Sequence, residues 1–199
     1  MENEKHNQNQ ENKIDKPVEL KEHKNTILNE DLLDILMDTC QIKFPNLVIK
    51  SKYTIDGITY IITGIDNKLF KHCKFIKTLV IEDGIEQIEE EAFKKCKRLE
   101  SINMPNSINT ISKNAFEDCE KLQKITTTNQ KYSNSNELPN NIKKIGKEAF
   151  KNCTSLKELH VESTTTKIAE NAFEGIDHIY YKGTAKGFPW GATNHHTEF

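Results

Sequence analysis

Residues 89–102 read EEEAFKKCKRLESI, and the same skeleton returns as KNAFEDCEKLQKI at 113–125 and as KEAFKNCTSLKEL at 147–159. A catalytic motif is needed once per site, so Ala-Phe, Cys and Leu recurring in step indicate architecture or a repeated ligand site. Anchored on phenylalanine, the pattern runs Phe70, Phe93, Phe116, Phe150 and Phe173, with intervals of 23, 23, 34 and 23 residues. Three residues after each anchor stand Cys73, Cys96, Cys119, Cys153 and Ile176; six after stand Ile76, Leu99, Leu122, Leu156 and Ile179. Five before it stand Ile65, Ile88, Ile111, Ile145 and Ile168, preceded three residues earlier by Ile62, Ile85, Ile108 and Ile142, with Thr165 in the fifth unit. Each unit offers one set of apolar side chains that it cannot bury alone, and stacking the units buries every column at once.

Within one unit, Ser101-Ile-Asn-Met104 alternates in the manner of a strand, with Ile102 and Met104 inward and Ser101 and Asn103 outward. Pro105 or Gly84 breaks that segment, and the Ile-x-x-Ile piece predicts a second edge. The Ala-Phe-x-x-Cys piece predicts a helical or 3₁₀ turn too short to stand as an independent helix.

This pattern, I-x-x-I-x-x-x-A-F-x-x-C-x-x-L-x-x-I over about residues 53–182, resembles the BspA-like leucine-rich repeats of bacterial, protozoan and viral proteins. The resemblance implies an α/β repeat: a right-handed leucine-rich-repeat solenoid with a short parallel sheet. It also implies a role in surface or host contact, since such members are often found there.

The ends and the irregular interval divide the chain further. Residues 1–27 alternate charge with Asn and Gln and predict a disordered arm. Residues 28–52 predict a capping helix and strand, with Asn29 as N-cap of Asn29-Glu-Asp-Leu-Leu-Asp-Ile-Leu-Met. Asp56-Gly57, between two β-rich runs, is a strong hairpin signal. The solenoid is expected over 53–185 and a C-terminal cap or tail over 186–199, where Phe188, Pro189 and Trp190 follow Tyr180 and Tyr181. The interval lengthened by 11 residues contains TTTNQKYSNSNELPNN at 126–141, polar and turn-rich, which predicts a protruding loop. It is either a tolerated insertion or a partner contact.

Composition narrows the function. The chain has 199 residues, 28 basic and 30 acidic, for a net charge of −2, and its one arginine is Arg98. Without a field of one sign or bidentate guanidinium forks, nucleic-acid binding is not expected. No apolar run near the start suits a secretory signal and none is long enough for a transmembrane segment, so a cytoplasmic protein is expected, with a cell-surface or host-exported one as the alternative. An odd number of cysteines (Cys40, Cys73, Cys96, Cys119 and Cys153) fits a reducing compartment.

The cysteine column is the sharpest chemical candidate. Equivalent side chains project in parallel, whereas metal ligands must converge, and the fifth unit replaces Cys by Ile176; a structural ladder is expected. The histidines show no ligand spacing, His195-His196 falls in the tail, and no nucleophile elbow or Ser-His-Asp order occurs. No catalytic residue, metal or cofactor is therefore expected.

These residues predict a non-enzymatic protein–protein interaction module, monomeric, presenting the outward strand row Thr78, Val80, Ser101, Asn103, Lys124, Thr126, Glu158 and His160, with Tyr132 of the insertion as a possible anchor. The alternatives are a surface adhesin or host-directed effector, and an F-box-like ubiquitin-ligase adaptor built on the L-x-x-x-L-L-x-I-L segment at 28–36.

Overall fold

The structure is a computed structural model and describes residues 23–32, 45–128, 135–162, 164–181, 183–187 and 189–197. Among the described residues fourteen strands follow in chain order. They are β1 (His23–Leu28), β2 (Asn46–Ile49), β3 (Lys52–Ile55), β4 (Ile58–Ile65), β5 (Thr78–Ile81), β6 (Gln87–Ile88) and β7 (Ser101–Met104). Then come β8 (Thr110–Ile111), β9 (Lys124–Thr127), β10 (Lys144–Ile145), β11 (Glu158–Val161), β12 (Lys167–Ile168), β13 (His178–Tyr181) and β14 (Asn194–His196). Each turn of chain feeds two ladders, one in front and one behind. A front face carries the parallel sheets β2-β5-β7-β9 and β11-β13-β14, and a back sheet runs β1-β4-β6-β8-β10-β12 with β3 antiparallel on β4.

The alternation expected of the front strands is present: β7, β9, β11 and β13 each bury their second and fourth residues and leave the first and third partly open. The five phenylalanines stack between them, with successive ring centroids 5.1, 5.4, 5.2 and 6.1 Å apart. Phe93, Phe116, Phe150 and Phe173 are wholly buried, as are the Ile columns on the back side as far as Ile145 and the Leu column beneath the front strands. One contiguous core therefore runs the length of the stack.

The Ala-Phe-x-x-Cys pieces are not helical, so the α part of the expected α/β repeat is absent from the described repeats. Two residues before and two after each Phe, the backbone turns left-handed: Lys68 and His72, Glu91 and Lys95, Asn114 and Asp118, Glu148 and Asn152, Asn171 and Gly175. Alternating hands aim every second N–H across to the next unit. The Phe70, Phe93, Phe116 and Phe150 amides each donate to the following Ala carbonyl at 2.8 Å, and Phe173 N–H donates to Trp190 O at 3.0 Å. This third ladder satisfies the backbone between units, where a helix would satisfy it within one.

At the start, the Asp56-Gly57 hairpin forms as expected, with φ of 48° and 80° at its two positive-φ turn residues and Ile55 opposite Ile58. Leu32 N–H donates to Asn29 Oδ1 at 2.9 Å, an N-cap on the helical turn of residues 30–32; the rest of the expected capping helix, with Cys40, lies outside the described residues. The disordered arm needs correction where it overlaps β1. His23–Leu28 pairs in parallel with β4 and buries Leu28, because β4 otherwise presents an open edge of backbone donors and acceptors. Residues 1–22 lie outside the description.

The insertion also departs from expectation. Ser135, Asn136, Glu137, Leu138 and Pro139 are all buried, not protruding. They fill the gap between β9 and β11: Leu138 N–H donates to His160 O at 3.0 Å and His160 N–H to Asn136 O at 2.8 Å. On the other side the Asn136 amide group imitates backbone, accepting from Ile125 N–H at 2.8 Å and donating to Gln123 O at 3.3 Å. A polar run can enter a core when each polar atom finds such a partner. At the far end Trp190 closes the phenylalanine column edge-on at 6.1 Å from Phe173, and also meets Tyr181 edge-on at 5.1 Å. Phe188 lies outside the described residues.

Candidate functional site

The front strands place the predicted row on one surface, in two blocks. In the first, Thr78, Ser101 and Lys124 are in register on β5, β7 and β9, as are Val80, Asn103 and Thr126. Thr78 donates its hydroxyl to Asn46 Oδ1 at 2.7 Å, and Asn103 Nδ2 donates to Thr126 Oγ1 at 3.0 Å, so these side chains are held in place before any partner arrives. Lys124 Nζ lies 3.5 Å from Ser135 O of the seam. In the second block Glu158 and His160 stand on β11. Tyr132 lies outside the described residues.

Sequence reading stopped the row too early at both ends. β2 extends it with Asn46 and Val48, in register with Thr78 and Val80, and Val48 and Val80 are among the large apolar side chains left exposed. β13 and β14 extend the other end with His178 and Tyr180, then Asn194 and His196, in register with Glu158 and His160. The signal available was the alternation of HIYY, which matches ELHV one unit earlier. The segment NHH carries no apolar alternation, so nothing local marks β14, and His196 is not in a loose tail.

This second block is aromatic. His160 stacks on Tyr180 with centroids 4.4 Å apart, and Tyr180 stacks on His196 at 4.5 Å. His178 Nδ1 and His196 Nε2 meet at 3.0 Å, a hydrogen bond that requires one of the two imidazoles to be neutral. Burial holds the His160 pKa below its ordinary value, against the opposing pull of Glu158, Glu137 and Glu162. The surface thus runs from an apolar end at Val48 and Val80, through a polar middle, to a histidine–tyrosine end.

The cysteine column lies inside the stack, not at this surface. Cys96, Cys119 and Cys153 are wholly buried, and each Sγ–H donates to a phenylalanine carbonyl of the preceding unit: Phe70 O at 3.1 Å, Phe93 O at 3.2 Å and Phe116 O at 3.3 Å. Burial pushes the Cys119 and Cys153 thiols well above the usual range, so they stay protonated and are neither nucleophiles nor ready metal ligands. Among the described residues no three His, Cys, Asp or Glu side chains are grouped to hold a metal ion, and no helix is long and apolar enough to cross a membrane.

Stacked turns with parallel front and back ladders around a Phe, Cys and Leu interior define a leucine-rich-repeat protein. Residues 63–137 and 129–182 match the BspA type leucine-rich repeat region in six copies, and the chain belongs to that family. The match counts one copy more than the five phenylalanine anchors. The chain is similar to a leucine-rich repeat protein from Bacteroides ovatus, at 29% identity and a TM-score of 0.57 over 67% of this chain and 32% of that one. It shares its fold with the T. pallidum leucine-rich repeat protein, at 23% identity and a TM-score of 0.58 over 69% of this chain and 59% of that one. Both of those proteins are longer than the stretch this chain spans. No curated protein matches it.

Proposed function

We propose that the chain is a non-enzymatic binding module that holds a partner protein against the outward row of its front strands. Preformation of that row carries the reading: side chains on neighbouring units are already bonded to one another, so little ordering cost remains on binding. The stacked His160, Tyr180 and His196 supply the aromatic anchor that hot spots favour, and Val48 and Val80 supply an apolar contact at the other end. The winding is right-handed, the sense that parallel crossover connections take.

Partners captured by the wild-type chain in native lysate are re-measured against three variants. Glu158→Lys with Lys124→Glu, and separately Tyr180→Ala, weaken capture by about tenfold or more, as loss of central contacts does, while Lys167→Gln on the back sheet leaves it unchanged. Equal capture by all three rejects the front face.

A further inference from the structure

The back sheet changes sign along its length. Around Ile88 the chain carries Glu86, Glu89 and Glu90, whereas the equivalent stretch around Ile145 carries Lys143, Lys144 and Lys147. Over this basic half lies a groove of about 690 Å³, ringed by Lys113, Lys144, Lys147, Lys167 and Lys186 and floored in part by Gly146 and Ala169. A net charge of −2 over the whole chain conceals this local field.

The basic groove is only partly balanced from within. Lys113 and Lys147 have carboxylate partners, Glu90 at 3.0 Å and Glu170 at 2.6 Å. Lys144 and Lys167 stand directly opposite each other on adjacent parallel strands, about 4.8 Å apart by strand spacing, and neither they nor Lys186 form an ion pair among the described residues. Like charges directly opposite one another destabilise a sheet. The floor position, held by Glu89 two units earlier, is Gly146 here. A Cβ there would fall 2.5 Å from Lys113 N, so the close approach of the preceding turn's backbone admits only glycine and the position cannot supply a carboxylate to the groove.

We infer that this groove binds a compact ligand bearing two or more phosphate groups on a small ring or chain, as in an inositol polyphosphate, free in solution or as a lipid headgroup. Lysine ammonium groups are point charges suited to phosphate oxygens from several directions. The volume falls in the small-ligand range of roughly 300 to 1,000 Å³. The site lies on the sheet opposite the protein-binding row and does not depend on that reading.

The full chain is titrated by calorimetry with myo-inositol hexakisphosphate at physiological salt, and in parallel sedimented with phosphatidylcholine vesicles containing phosphatidylinositol 4,5-bisphosphate. One saturable site that weakens with added salt is expected. Lys144→Gln with Lys167→Gln weakens it by at least about tenfold without lowering the melting temperature, since the repulsion goes too. Lys186→Gln, outside the strands, also weakens it, and Lys50→Gln with Lys52→Gln stays within about twofold. Binding to the soluble probe without vesicle binding supports a free ligand; vesicle binding competed by the soluble probe supports a headgroup. No saturable binding in either arm, or equal weakening by both double variants, overturns the inference.

Discussion

Between Ile76 and Thr127 the front and back faces advance together, each 23-residue turn adding one strand to both. Beyond Thr127 they part company. The back sheet continues without a gap, Thr110 pairing with Lys144 across 34 residues, while β9 and β11 on the front are separated by the buried segment 135–138. The interior ignores the insertion: Phe116 and Phe150 still stack at 5.2 Å, and Cys153 still reaches Phe116 O. The two blocks teach that the core and back sheet set the repeat, whereas the front surface is free to absorb extra chain and so to diversify.

The strongest way to break this comparison is to remove a ring. Phe93 is wholly buried between Phe70 at 5.1 Å and Phe116 at 5.4 Å, and Phe93→Ala should cost about 3 to 5 kcal/mol in denaturant unfolding. Phe173, with neighbours at 6.1 Å on both sides and an edge-on Trp190 on one, should cost less on the same substitution. Equal losses would show that the regular block has no packing advantage. Next in size is the seam. Asn136→Ala leaves the Ile125 amide without its acceptor and should cost about 1 to 3 kcal/mol. Hydrogen exchange should rise at Ile125 first, and unchanged protection there would mean that the seam does not join the blocks.

The difference between the blocks also explains what the sequence made legible. Columns of Phe, Cys, Leu and Ile at one period reveal a stack, because their burial requires it. The left-handed positions were harder to see, since Lys68, Glu91, Lys95 and Glu148 are ordinary polar residues there; only Asn114, Asp118, Asn152, Asn171 and Gly175 hinted at positive φ. The buried seam was illegible because Leu138 is its one buried aliphatic side chain and its join to β9 rests on an amide side chain imitating backbone, which leaves no hydrophobic pattern. At the aromatic end of the front row His196 was missed because it owes its place to a strand with no apolar residue of its own.

A smaller effect concerns charge along the turns. In the regular block Lys71, Glu91, Lys94 and Glu117 alternate with contacts of 2.7, 3.2 and 2.6 Å. The hydrogen bond from Lys71 holds the Glu91 carboxyl down at about 2, against the opposing effect of burial and with help from Lys94. A carboxyl depressed from its ordinary 4.5 contributes fully above pH 4.5, and the contribution disappears as pH falls toward 2. The melting temperature should therefore drop through that window, and Glu91→Gln should flatten part of the drop. In the second block the Glu148 carboxyl is also lowered, chiefly by the Asn114 hydrogen bond, but its Lys151 contact is longer at 3.5 Å. Glu148→Gln should change the profile less; a larger change would reverse the ranking of the two blocks.

The smallest effect is expected at the most conspicuous column. Cys96 Sγ–H donates to Phe70 O, but that carbonyl already accepts the Cys73 amide at 3.0 Å, so losing the thiol leaves no buried acceptor unpaired. The same holds one unit on, where Phe93 O accepts both Cys119 Sγ–H and the Cys96 amide. In the fifth unit Ile176 takes the position with no thiol at all; the preceding Phe150 O keeps the Cys153 amide at 3.2 Å. Cysteine is thus kept for its small buried volume and the thiol bond is secondary. Cys96→Val should cost less than about 1.5 kcal/mol, the range of volume-conserving swaps, and chelators should not shift the melting temperature of either form. Cys96→Ser should cost more than Cys96→Val, because it shrinks the side chain and buries a hydroxyl that must find a partner. If valine proved the worse of the two, the Sγ–H bond would be holding the units together and not merely filling the space between them.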